Sequence, residues 1–188
     1  MGINQQIVTS SHWNYFLSLE DDLIKLSRWI EFDKSNFDCF SLEMVRLLIV
    51  ASSEVDVVAK MLCKEISGNN RARSISPYQY TIIDEYEGVS SARIQMPRYG
   101  LTLTPWDEWK TPNSPPIWWQ ENNKVKHHRS EHYSKATLKN VLNAIAGLLV
   151  LLLYYYGRVE HGITTAPRIM ESINITGSDG DFLMFTNW

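Results

Sequence analysis

Cysteine is scarce: Cys39 and Cys63 are the only two in 188 residues, and no CxxC spacing joins them. Their spacing favours two buried, reduced thiols over a disulfide or a metal site. A glycine-rich phosphate loop, a G-x-S-x-G elbow and a nucleophilic cysteine with an evident base are missing too. Small-molecule enzyme chemistry thus has no starting point, and no cofactor is implied. Met1–Ile7 lacks the positive charge and apolar block of an export signal. The longest apolar stretch, Ala144–Tyr156, falls short of the ~20 residues that span a bilayer, so it reads as a core helix and no membrane contact is expected. These absences point to a cytoplasmic protein. Excess positive charge is also lacking: the net charge is -3 and the pI about 5.9, which argues against a chain coated in cations for duplex DNA.

What is present is helical periodicity, in a chain whose length fits a single domain. Over residues 12–31, Phe16, Leu19, Leu23, Leu26 and Ile30 recur at spacings of three and four, with Glu20, Asp21, Lys25 and Arg28 off that stripe. Ser41 is a plausible N-cap for a second helix, from Leu42 to about Ile66, that is apolar on most sides and ends at Gly68. Pro77 sits in the first turn of a shorter helix through Tyr80, Ile83 and Tyr86. Alternation over 92–104, around Pro97-Arg98-Tyr99-Gly100, predicts a β-hairpin inserted among the helices. A connection rich in proline and tryptophan follows, and two more helices are expected at about 117–133 and 137–157. The extension 158–188 reads as an irregular tail in which Phe182–Phe185 could add a strand. The fold class is mainly α: a bundle of about five helices with a small hairpin and an irregular C-terminal tail.

Chemistry concentrates in one place. Between Lys124 and Lys139 the chain carries Lys124, Lys126, His127, His128, Arg129, His132 and Lys135 against one acid, Glu131. On a helix, Asn123, Lys126 and His127 share a narrow face with Trp119 one turn earlier, and Arg129 lies beside Lys126. Such a face can hold a phosphate, and imidazoles can move protons near neutral pH. The bland alternative is a solvated helix face. His128 and His132 stand one turn apart, but no further ligand has a fitting spacing and the flanking cations would repel a metal, so no metal site is expected. Glu54 falls on the apolar face of the second helix, where an unpaired carboxylate is costly; either it takes a partner from Lys126, His127 or Arg129, or it sits at the solvated edge of the stripe. Trp106, Trp109 and Trp118, with Trp119, read as anchors of a proline-rich loop more readily than as base-stacking platforms.

The run Trp119, Asn123, Lys126-His127 and Arg129, in the form N-x-x-K-H-x-R before an apolar helix and behind two long N-terminal helices, resembles HEPN-type helical domains. These occur in prokaryotic toxin–antitoxin, abortive-infection (phage defence) and RNA-cleaving proteins. The resemblance covers the helical two-thirds of the chain. It implies an RNA-binding protein, a homodimer with its motif helices facing, and metal-independent RNA cleavage as the associated activity. In such cleavage His127 would be general acid or base on the 2′-hydroxyl, Lys126 and Arg129 would hold the attacked phosphate, and Asn123 would orient it. Lys124, His128, His132, Lys135 and Trp119 would contact the RNA chain. The family's ribonucleases carry an arginine four to six residues before a histidine. Here Arg129–His132 and Arg158–His161 are both shorter, which leaves enzyme status open. The alternative is a non-enzymatic interaction module, antitoxin-like or a scaffold subunit, whose basic helix contacts an acidic partner protein.

Overall fold

The computed structural model describes residues 10–68, 71–159, 163 and 165–173. Its helices are α1 (Ser11–Leu26), α2 (Leu42–Ser67), α3 (Ile75–Glu85), α4 (Ile117–His127), α5 (Arg129–His132) and α6 (Leu138–Arg158). Three short strands, β1 (Arg93–Met96), β2 (Leu101–Leu103) and β3 (Glu171–Ile173), form an antiparallel sheet in the order β2-β1-β3. A mainly α fold with a small sheet is what the periodicities imply.

The bundle is built around α6. Sixteen of its 21 residues are buried, on every side of the helix, and α2 packs along it. By length and composition alone α6 could cross a membrane; here neighbouring helices cover it. Each fully buried leucine on it contributes about 2 kcal/mol. Both central helices start on side-chain caps: Ser41 accepts from the Met44 N–H, and Thr137 from the Asn140 N–H. Gly68 closes α2 at φ 65°, a left-handed geometry that a β-carbon would strain. The two N-termini are tied together, because Leu138 and Lys139 donate their N–H groups to the Cys39 and Phe37 carbonyls.

Three expectations need correction, and a fourth, the strand in the tail, falls outside the described residues. The first helix ends at Leu26, not 31, and a turn leaves Trp29 exposed. Cys39 is exposed; only Cys63 is buried, and burial pushes its thiol up to about 11. The hairpin is more than an insertion: Ile94, Met96, Leu101 and Leu103 all point into the core, and β1 is the central strand. The tail strand is β3, while 182–185 lies outside the described residues.

Glu20 explains how the tail is held. Expected on the polar side of α1, it is 0% exposed, and its carboxylate accepts the backbone N–H groups of Arg168, Ile169 and Met170. The Trp13 indole N–H donates to the Thr165 carbonyl, and Arg168 pairs with Asp21. Three donors around one carboxylate satisfy a buried charge with backbone alone. Glu20→Ala is expected to cost about 3 kcal/mol in denaturant unfolding and to raise amide exchange selectively at residues 168–170. Unchanged stability with unchanged exchange would contradict this latch.

Candidate functional site

The basic segment is carried by α4, whose seat is made by tryptophans. Trp118, Asn122 and Val125, at spacings of four and three, form its buried face. Trp118 donates its indole N–H to the Pro105 carbonyl, and Trp106 donates to the carbonyl of Gly147 on α6. The indoles of Trp106 and Trp118 meet edge to face, 5.4 Å between centroids. A β-carbon at Gly147 would lie 3.1 Å from the Trp118 ring and 3.3 Å from the Trp106 ring, so the bare backbone there is what admits both. These tryptophans anchor the proline-rich loop, as their sequence context suggests; Trp119 alone of the four is only half-buried.

The helix expected over 117–133 breaks. α4 stops at His127, His128 adopts a non-helical backbone (φ -137°, ψ 54°), and Arg129–His132 form a separate turn. Arg129 therefore belongs to a different element from Lys126 and His127. Beyond the elbow, Tyr133 packs edge to face on Phe40 at 5.8 Å, and Asn140 donates to the Lys135 carbonyl. The basic stretch is thus held on both sides, by the tryptophan seat before it and by α6 after it.

Asn123, Lys126 and His127 do share the outward face of α4, and all three are exposed. So are Lys124, His128, Arg129 and Lys135, while His132 is half-buried. Lys124 bonds to Glu121 at 2.8 Å. Among the described residues the side chains of Asn123, Lys126, His127, Arg129 and Lys135 make no hydrogen bond or ion pair. The His128 and His132 rings lie 6.4 Å apart, edge to face. Among the described residues no group of three His, Cys, Asp or Glu is placed to hold a metal.

Glu54 does not reach this segment. Its carboxylate takes a 2.5 Å hydrogen bond with Nδ1 of His12, in the first turn of α1, which corrects the expected link to the basic helix. The pair fastens α1 to α2. Two concavities lie elsewhere among the described residues: one of about 190 Å³ between Phe37, Thr104, Trp118 and Asn143, and a groove of about 470 Å³ beside α3. None of Asn123, Lys126, His127 and Arg129 lines either.

Two buried polar residues escaped the sequence reading. Asn122 is 5% exposed, with its Oδ1 unpartnered, and Gln79 is 6% exposed. Asn122 is four residues from Trp118 and three from Val125, and that spacing alone would have placed it inward. Comparison of the chain with family models, curated proteins and solved structures finds no match.

The seat of α4 is directly testable. Gly147→Val is expected to lower unfolding free energy by about 2 kcal/mol and to change the near-ultraviolet dichroism of the tryptophans. A variant as stable as the parent, with the same aromatic dichroism, would show that Gly147 does not set the position of Trp106 and Trp118.

Proposed function

We propose that the protein is a HEPN-like RNA-binding protein that meets the phosphate backbone with the elbow between α4 and α5. One observation carries the proposal: Lys124, Lys126, His127, His128, Arg129 and Lys135 stand exposed on an anchored segment of a chain that is net acidic. Exposed cations on a fixed scaffold release counterions from a polyanion without first breaking bonds within the protein. The half-buried Trp119, one turn before Asn123, supplies a flat apolar surface beside them.

Binding draws more support than cleavage. General acid–base catalysis by His127 calls for a positioned ring, and in the single chain neither His127 nor Lys126 nor Arg129 has a partner to position it. Cleavage would fall to an assembly in which two copies oppose their α4 elbows, the homodimer that the family resemblance implies. The same exposure favours a second reading, an acidic protein surface docking on the elbow in an antitoxin-like or scaffold role. A bacterial defence setting and a cytoplasmic location belong to the proposal as well.

Fluorescence anisotropy of a labelled single-stranded RNA, with metals chelated, tests the first reading. Log affinity is expected to fall against log salt with a slope of about -2 to -3, and Lys126→Ala with Arg129→Ala to reduce that slope by about 1.4. No binding at low salt, or a double variant with the parent's slope, contradicts RNA contact at this elbow. Scission of the same RNA, lost in His127→Ala, would add catalysis to binding.

A further inference from the structure

A groove beside α3 carries charge of the opposite sign to the elbow. The groove of about 470 Å³ beside α3 is lined by Gln79, Tyr80, Ile83, Asp84 and Glu87, with Trp109 and Lys110 from the following loop. Its spacing along the chain, 79, 80, 83, 84 and 87, is one face of α3 continued into the next turn.

Gln79 fixes the polarity of the floor. Its amide nitrogen donates to the carbonyls of Trp109 (3.1 Å) and Thr111 (2.8 Å). Both partners are acceptors, so the orientation of the amide is settled, and Oε1 must face the other way. That oxygen has no hydrogen-bond partner, and Gln79, only 6% exposed, is one of the residues that line the groove. Trp109 is 2% exposed, and its indole N–H is likewise unpartnered.

The rim agrees with the floor. Asp84 and Glu87 are exposed, and among the described residues their carboxylates form no ion pair. Lys110 is already bonded to Asp107, so it leaves the carboxylates unneutralised. Tyr80 stands 77% exposed as a flat wall. The groove thus offers a fixed carbonyl oxygen, two carboxylates and an aromatic face. A phosphate chain would be repelled. A planar cation with several N–H donors satisfies all three features at once: it can bond to the oxygens at its edge while its face lies on the tyrosine.

We propose that this groove receives an arginine side chain displayed by a segment of a partner protein. Charge complementarity selects a peptide-linked arginine over the free amino acid, whose own carboxylate would face Asp84 and Glu87. The inference is independent of the RNA reading, since no residue of the α4–α5 elbow takes part.

The test is a titration of the ¹⁵N-labelled protein with Nα-acetyl-arginine amide, read at the Trp109 indole cross-peak. A saturable shift is expected, with none from Nα-acetyl-citrulline amide, which keeps the shape and lacks the charge. Asp84→Asn with Glu87→Gln is expected to weaken binding at least about tenfold, and Tyr80→Ala about two- to fivefold. These three side chains are exposed and the substitutions leave the core intact, so lost binding would not report lost folding. The proposal is overturned by no saturable shift, by citrulline, free arginine or Nα-acetyl-lysine amide binding as tightly, or by undiminished binding in the double variant.

Discussion

A missing side chain sets the position of the basic segment. Gly147 lies near the middle of a largely apolar, mostly buried helix, and its bare backbone lets two indoles rest against it. Trp106 hydrogen-bonds to that backbone, and Trp118 packs edge to face on Trp106 while holding Pro105. Because Trp118 is also the second residue of α4, the same contact that closes the core orients the helix carrying Asn123, Lys126 and His127. Packing and the candidate site are thus joined through one residue pair. A close-packed interior passes such a constraint on with little slack.

The chain separates its charges by place. The α4–α5 elbow gathers cations that have almost no partners, and α3 gathers carboxylates beside an open aromatic ring. Other charges are paired across or along helices: Arg158 with Glu85, Arg46 with Asp22 and Glu43, and Asp56 with Lys60. Arg158 also bonds to the Tyr86 hydroxyl. Where a charge is fully buried, as at Glu20, backbone N–H groups surround it.

Much of the fold was legible because it depends on periodicity. The stripe from Phe16 to Leu26, the apolar faces of Leu42–Ser67 and the apolar run on α6 each specify a helix without tertiary information. The break at His128 was not legible. Nothing between Lys124 and Tyr133 is a proline or glycine, and the residues after the elbow are held by Tyr133 on Phe40, far along the chain, and by Asn140 on the Lys135 carbonyl. The partner of Glu54 was hidden in the same way, since His12 lies 42 residues away and precedes the apolar stripe of its helix. Glu20 reads as off the apolar stripe, and Gln79 and Asn122 draw no reading at all, because their polarity suggests solvent while their registers put them inside. The residue types of the basic segment could be read from sequence; whether they would enclose a pocket could not, because that depends on how α4 is seated.

The central claim is that the elbow after α4 is the surface that meets RNA. The most direct measurement is a backbone amide shift map of the ¹⁵N-labelled protein, titrated with a short single-stranded oligoribonucleotide at low salt. The account predicts saturable shifts confined to residues 119–135, with the amides of α3 unmoved. Shifts clustered elsewhere, or a spectrum left unchanged at saturating RNA, would contradict it.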